Sequence, residues 1–424
     1  MRAPQGQSVS RCPSPARPAE RSRRSSLTAP TLESLVARAE TLFRDLDLAA
    51  VRRWKDAAPG RKAIGHMPIY VPRELVHAAG MLPVGLMGGG DQIEIIRGDA
   101  YFQSYICQIP RSTIEMGLAG RLDALDGMLF PAICDVIRNL SGMWRMLFPD
   151  RLALYVDLPQ AGCPELAVDF YERELLRLAG ELSSLSGVPV TDEALAASIA
   201  LYDANAAAVR DLDLFRAATP WKSPIHETYL VLRAANLMEV GEHTRFVRDY
   251  LAAAAASDRP ELDQSRVVVT GAFCEQPPLE LLRTLERAGC YIVADDFVLG
   301  PRFIRGPVAT GDPPFRALAR AYVERGVSTA SRYEPSRKKG DWLVETVRER
   351  AAEGVVFCAA SFCDPALLEQ PMLVAALERA GIPHTAFKYS ENLGQFQVIR
   401  EQAGTFSDSI RLWGAELPPQ EAVP

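Results

Sequence analysis

Four times after Lys62 the chain repeats one arrangement: a short apolar run, a loop with Pro or Cys, an amphipathic segment and a second apolar run. The clearest copies are RVVVTGAFCEQPPLELLRTLERAGCYIVADDF and GVVFCAASFCDPALLEQPMLVAALERAGIPHTAFKY. Apolar runs without alternation are typical of strands buried on both faces, and a helical crossover makes the strands it joins parallel. The repeat therefore predicts an α/β fold with two parallel, Rossmann-like sheets.

Between the two α/β regions the period of the apolar residues becomes helical. Thr191 is the predicted N-cap of the helix in VTDEALAASIALYDANAAAVRDLDLF, and a helix break is expected near Gly241. We expect four segments in this order: a disordered basic Arg/Pro/Ser-rich tail at 1–40, an N-terminal α/β domain at 41–160, a helical region at 161–262 and a C-terminal α/β domain at 263–424.

Charge and hydropathy limit the possible partners and location. The first thirty residues hold six Arg and one Glu and lack the apolar core of a signal peptide, so we interpret them as a solvated extension or a mis-assigned start. Without that segment the net charge of −6 becomes about −11, which argues against nucleic-acid binding. No apolar run is long enough to span a membrane. Eight Cys without dense pairing favour the reducing cytoplasm.

Three cysteines lie where an apolar run gives way to a predicted helix. Cys134 and Cys363 are each followed by Asp, and Cys107 lies at a similar junction in YICQIPRS. Backbone N–H groups and the helix dipole meet at a helix start, so a thiolate there is stabilised and well placed to bind a metal. The three positions favour an iron–sulfur cluster in which one iron has no protein ligand.

Two other interpretations of the cysteines compete with the cluster. A structural zinc site normally brings ligands as close pairs, whereas the closest pair here, Cys358 and Cys363, has four intervening residues. A single Cys in an apolar context is also more often a small core residue, which suits Cys290 and Cys358 best. Cys163 is expected to be a loop thiol, and the role of Cys274 stays open.

Four segments carry a family resemblance: HMPIYVPRELVHAAGMLPVGL, FPAICDVIRNL, SFCDPALLEQPML and KYSENLGQFQVIREQAGTF. They resemble the 2-hydroxyacyl-CoA dehydratase and benzoyl-CoA reductase family over most of residues 62–414, with the greatest likeness to the C-type subunits of its reductases. The resemblance implies that Cys107, Cys134 and Cys363 bind a [4Fe–4S] cluster. It also implies a paralogous cluster-bearing subunit of the same fold, ATP-binding activator-type subunits, ferredoxin as electron donor and an acyl-CoA substrate.

The function implied by the resemblance is that of one subunit in an ATP-dependent, ferredoxin-linked benzoyl-CoA reductase, an oxidoreductase that converts benzoyl-CoA to cyclohexa-1,5-diene-1-carbonyl-CoA. The sequence is consistent with ATP binding by other subunits, because it has neither a G-x-x-x-x-G-K-[ST] loop nor a G-x-G-x-x-G fingerprint. One alternative is a subunit of a 2-hydroxyacyl-CoA dehydratase, a lyase with ketyl-radical chemistry. Another is a non-catalytic electron-relay or scaffold subunit.

Proton donors are harder to assign from the sequence. Tyr70, Glu74 and His77 are candidates because they surround the start of the helix after the first strand. The structural alternative is that Glu74 complements the helix dipole and that His77 is a satisfied helix-face residue. The glycine run at 88–90 is expected to be a turn, and the basic run at 337–339 a solvated patch that could instead meet CoA phosphates.

Overall fold

The computed structural model describes residue 1 and residues 30–160, 163–274, 277–300, 302–308, 311–332, 337–390 and 396–413. Most of the predicted basic tail, residues 2–29, lies outside the described residues, as does the 391–395 part of the fourth family-like segment. None of the helices in the described part of the chain combines the length and hydropathy that a bilayer crossing needs.

The first sheet has four parallel strands in the order β2-β1-β3-β4. Its strands are β1 (Ala63–His66), β2 (Leu82–Gly85), β3 (Gly127–Pro131) and β4 (Leu152–Val156). Three helices make the crossovers: α3 (Arg73–Ala78), α4 (Gln108–Leu118) and α5 (Asp135–Leu147). Every residue of β1, β2 and β3 is buried, as expected for strands covered on both faces.

The second sheet repeats this topology in the order β6-β5-β7-β8, again with parallel strands only. Its strands are β5 (Ser265–Thr270), β6 (Cys290–Asp295), β7 (Gly354–Ala360) and β8 (His384–Tyr389). Its helices are α10 (Leu279–Arg287), α11 (Pro314–Arg325), α12 (Asp341–Glu349), α13 (Asp364–Arg379) and α14 (Phe396–Trp413). The predicted fold class, two parallel α/β sheets, is confirmed.

Long helices separate the two sheets in the sequence. They are α6 (Pro164–Ser186), α7 (Asp192–Ala218), α8 (Ile225–Arg233) and α9 (Val240–Ala255). Thr191 caps α7 as predicted, accepting the N–H of Ala194 at 3.2 Å. The expected break near Gly241 falls earlier, between α8 and α9, and Gly241 lies in the first turn of α9.

Two helices precede the first strand, α1 (Leu32–Phe43) and α2 (Ala49–Asp56). The expected end of the tail at residue 40 is wrong, because residues 32–40 belong to α1. Thr31 accepts the N–H of Ser34 at the start of that helix, and Leu35 and Ala39 are buried. An N-cap and an apolar face thus begin ordered structure soon after the basic segment.

One continuous apolar core joins residues of both α/β regions and of the helices between them. A smaller cluster, including Val268, Leu343 and Phe357, fills the space between the second sheet and α12 and α13. The helical region is therefore packed against the sheets rather than acting as a linker.

Candidate functional site

Cys134 lies where β3 leads into α5, at the N-cap of the helix. The backbone N–H groups of Val136 and Ile137 lower the pKa of its thiol, as the sequence position predicts, although the thiol forms no cap hydrogen bond. Burial nevertheless raises the pKa of the thiol, and the two amides do not cancel that rise. Without a metal the thiol is therefore held in its protonated form, contrary to the expectation of a stabilised thiolate.

Cys363 occupies the matching place in the second sheet, where β7 leads into α13. It is 8% exposed. The carboxylate of Asp364, next to it, acts on the Cys134 thiol and contributes to raising its pKa. The two Cys-Asp pairs, more than two hundred residues apart in the sequence, are therefore close enough in the fold for Asp364 to act on the Cys134 thiol.

Cys107 is the N-cap of α4 and is half-buried. The helices α4 and α5 pack against each other. At Gly117 the contact is close, since a β-carbon there would lie 2.9 Å from the Cη2 atom of Trp144. Gly117 follows Cys107, and Trp144 follows Cys134, at the same spacing in the sequence. Both cysteines therefore lie on the N-terminal side of this contact between the helices.

The three thiols could bind either a single metal ion or an iron–sulfur cluster, and the two sites have different requirements. The described residues hold no group of three or more His, Cys, Asp and Glu side chains that could share a single metal ion. A cluster has a different requirement, because each thiol binds its own iron. Soft sulfur donors at three helix starts, with amides already directed at one of them, fit an iron–sulfur cluster by donor type.

The remaining described cysteines lie away from this arrangement or in the core. Cys290 and Cys358 are fully buried within strands, and burial raises the pKa of the Cys290 thiol to about 12. Cys274 is buried just after β5. Cys163, expected in a loop, is exposed at the N-cap of α6.

Tyr70 connects the end of β1 with the second α/β region. Its hydroxyl is hydrogen-bonded to the hydroxyl of Thr329, and its ring meets that of Tyr322 edge-on at 5.7 Å. The residue is 1% exposed, and burial raises the pKa of its phenol well above the usual value. Its φ of 66° is in the left-handed region, which a bulky residue adopts only where surrounding contacts hold it.

Glu74 and His77 lie on α3 and are close to α7. Burial raises the pKa of Glu74 to about 6, and its Oε2 has no hydrogen-bond partner among the described residues. The Nδ1 atom of His77 lies 2.9 Å from the hydroxyl of Ser198 on α7, and burial lowers the pKa of this histidine. Of the three predicted proton donors, Tyr70 is the one whose side chain is hydrogen-bonded to the described part of the second α/β region.

Two titratable residues at strand ends are absent from the sequence-based candidates. Asp296 follows β6 and accepts the N–H groups of Gly271 and Ala272 at 2.6 and 3.2 Å, and burial raises its pKa to about 7. His66 ends β1, and burial lowers its pKa to about 3. The pair of Asp residues that closes an apolar run in YIVADDF is the sequence signal that could have indicated the first.

The glycine run and the basic run have structural roles in the fold. Gly89 donates its N–H to Ser112 at 3.0 Å, and a β-carbon on Gly88 would lie 2.5 Å from the same hydroxyl. Lys339 does not lie in a solvated patch, because its Nζ is 2.6 Å from the carboxylate of the buried Glu369 on α13. Neither run, so far as its residues are described, presents an open phosphate site.

Comparison with known proteins gives a consistent set of relatives. The family model described as 2-hydroxyglutaryl-CoA dehydratase, D-component, matches residues 68–410. The chain is 52% identical to the C subunit of benzoyl-CoA reductase from Thauera aromatica, over 89% of this chain and 98% of that protein. It is 31% identical to the (R)-phenyllactyl-CoA dehydratase beta subunit of Clostridium sporogenes, over 83% and 92% of the two chains. It is 30% identical to the (R)-2-hydroxyglutaryl-CoA dehydratase beta subunit of Acidaminococcus fermentans, over 84% and 94%.

Proposed function

The chain belongs to the 2-hydroxyglutaryl-CoA dehydratase D-component family, and from that membership we propose that it is the C-type, cluster-bearing subunit of a benzoyl-CoA reductase. The observation that carries the proposal is the 52% identity to the C subunit of benzoyl-CoA reductase across nearly all of that protein. The dehydratase subunits are 29–31% identical over similar lengths, so a lyase is the less supported alternative. The reaction would be the dearomatising reduction of benzoyl-CoA to the cyclohexadiene product.

Cys107, Cys134 and Cys363 would hold the [4Fe–4S] cluster. When bound, such a cluster supplies single electrons at potentials that reach roughly −700 mV. Each of the three residues begins a helix, so backbone amides and the helix dipole are available to a ligated sulfur. The protonated Cys134 thiol would lose its proton on ligation, because a metal deprotonates a coordinating thiol outright.

The other residues of the strand-end region would hold and position protons. Tyr70 keeps its proton at all working pH values because burial raises the pKa of its phenol, and it is our first choice for a proton donor. Asp296, whose pKa burial raises to about 7, can exchange a proton near neutral pH. Its two N–H donors and the Thr270 hydroxyl fix the orientation of its carboxyl group.

The proposed partners are inferred from a motif that the sequence lacks and from the names of its relatives. The proteins it resembles are named as subunits, so we propose a paralogous cluster-bearing subunit of the same fold as its immediate partner. ATP would be bound by separate activator-type subunits, since this sequence has no phosphate-binding loop motif. Reduced ferredoxin would be the electron donor, and the assembly would work in the cytoplasm.

Cluster ligation is tested by replacing Cys134 with Ser and purifying the protein without oxygen. We expect iron and acid-labile sulfide to fall to a small fraction of the wild-type content while the circular dichroism spectrum stays unchanged. Cys163→Ser is the matched control, because Cys163 is an exposed thiol that also begins a helix. Wild-type iron content in the Cys134→Ser protein would exclude it as a ligand.

The reductase and the dehydratase differ in net redox change. With its partner subunits, ATP and a low-potential donor, the wild-type complex should oxidise the donor in fixed proportion to the benzoyl-CoA consumed. A dehydratase returns its electron after water leaves, so one activation would support many turnovers without further oxidation. That second result with a 2-hydroxyacyl-CoA would overturn the reductase assignment.

A further inference from the structure

A cavity of about 330 Å³ opens at the carboxyl end of β6, between α7 and α12. Its wall begins with Asp295 and Asp296, at the edge of the sheet where parallel α/β folds bind ligands. Val327 and Ser328 complete the wall on another side and directly precede Thr329, the hydrogen-bond partner of Tyr70. The cavity is therefore adjacent to the region that contains the predicted site residues.

A cluster of five charged side chains adjoins this cavity, and four of the five line it. Arg216 contacts both Asp213 and Asp295, at 2.8 and 2.7 Å. Arg302 also lies between the two aspartates, 2.8 Å from Asp295 and 3.6 Å from Asp213. Arg350 is 2.6 Å from Asp213. Three guanidinium groups thus face two carboxylates, and the cluster carries one unbalanced positive charge.

Unsatisfied donor atoms on two side chains add to that imbalance. Arg216 is 1% exposed, and its Nε and Nη1 atoms have no hydrogen-bond partner among the described residues. The indole Nε1 of Trp342, in the wall of the cavity, is likewise buried without a partner in the described part of the chain. A buried cation or donor without an acceptor is costly, and an anion in the cavity would relieve that cost at Trp342 and balance the cluster.

Two exposed arginines also line the cavity. They are Arg210 and Arg305, and they form no ion pair with another described residue. Apart from the two aspartates of the cluster, the acidic groups that line it are Glu349, which is exposed, and Asp296, whose carboxyl group is held by backbone N–H groups. Four arginines therefore line a space that suits phosphate groups, for which guanidinium is the preferred partner, and Arg216 is buried next to two of the aspartates in its wall.

We propose that this cavity binds the phosphate groups of the coenzyme A portion of the acyl-CoA substrate. This assignment rests on the proposed function for the identity of the ligand, while the anion chemistry rests on the arginines alone. The cavity is at the small end of the range for ligand sites, so it holds the phosphate-bearing end and leaves the rest of the molecule outside. A pantetheine arm leaving past Ser328 would extend toward Thr329 and Tyr70.

The test measures CoA binding to the full chain, purified without oxygen, by titration calorimetry. The Arg210→Ala, Arg305→Ala double variant removes two exposed arginines that hold no ion pair with the described residues, so folding should be retained. We expect the Kd for CoA to rise at least tenfold, as the loss of charge-assisted hydrogen bonds of about 1.5 kcal/mol or more implies. Arg248→Ala, an exposed arginine on α9, is the control and should leave the Kd unchanged.

Other ligands separate the possible sources of phosphate. 3′-Dephospho-CoA should bind more weakly than CoA, and pantetheine should not respond to the double variant. ATP that binds as tightly as CoA, with the same dependence on the arginines, would overturn the CoA assignment. CoA binding that is absent, or equal in wild type and double variant, would mean that the arginines serve folding alone and would overturn the proposal.

The assembled complex distinguishes this inference from the proposed function. If both hold, the double variant raises the KM for benzoyl-CoA about tenfold and changes kcat by less than about twofold. If the wild-type complex does not reduce benzoyl-CoA but the chain still binds CoA through these arginines, the proposed function fails and the cavity assignment stands. If the complex reduces benzoyl-CoA and the KM does not move, the cavity assignment fails alone.

Discussion

At the scale of single residues, burial raises the pKa of two acidic groups by more than nearby hydrogen-bond donors lower it. Two backbone amides lower the pKa of the Cys134 thiol, yet burial raises it by more. Asp296 accepts two N–H groups and a hydroxyl, yet burial raises its pKa to about 7. The sequence shows the local donors at Cys134, but burial depends on segments far away in the chain, so the direction of this shift could not be predicted.

Glu74 gives the clearest measurable consequence of burial. Its pKa is about 6 in the folded chain against 4.5 for an unperturbed Glu, so the folded state holds this proton more tightly. The contribution to stability is full below pH 4.5 and is lost as the pH rises through about 6, a difference of about 2 kcal/mol. We expect Glu74→Gln to be about 2 kcal/mol more stable than wild type at pH 8 and equal to it at pH 4.

Urea unfolding at the two pH values measures this difference. Glu181→Gln on α6 is the control, because Glu181 is exposed and its loss should change stability by less than about 0.5 kcal/mol. A stability difference between wild type and Glu74→Gln that is the same at both pH values would contradict the assigned cause.

At the level of elements, local pattern predicts most of the architecture. The apolar runs form β5 and β7, and Thr191 caps α7, because strand burial and helix capping are encoded in adjacent residues. Contacts between distant segments are not predictable in this way. The pairing of Lys339 with Glu369 and the contact of Tyr70 with Thr329 depend on packing that no local pattern reveals.

The cap of α7 can be tested directly. Thr191→Ala removes the side-chain acceptor for the N–H of Ala194, and we expect it to lower the free energy of unfolding by about 1 kcal/mol. Thr191→Ser keeps an equivalent acceptor and should lie within a few tenths of a kcal/mol of wild type. The measurement is chemical unfolding followed by far-ultraviolet circular dichroism, and equal stability of all three proteins would show that the cap contributes nothing.

At the scale of the whole molecule, α7 connects the two α/β regions. Near its start Ser198 bonds to His77 of α3, and near its end Arg216 pairs with Asp295 of β6. Cys134 follows a strand of one sheet and Cys363 follows a strand of the other, so their relative position depends on how the two sheets are held. We therefore expect the buried ion cluster at one end of α7 to affect the relative position of the two cysteines.

Arg216→Met tests that connection. The side chain is 1% exposed, and its loss leaves Asp295, also 1% exposed, with Arg302 as its remaining ion-pair partner among the described residues. Removing one partner from a buried charge cluster typically costs about 3–5 kcal/mol, and we expect a loss of about 3 kcal/mol because Arg302 remains.

Arg38→Met removes the exposed Arg38–Glu242 pair and should cost less than about 1 kcal/mol. If urea unfolding gives Arg216→Met a loss no larger than that of Arg38→Met, the cluster does not hold α7 to the second sheet, and the two sheets must be positioned by the apolar core alone.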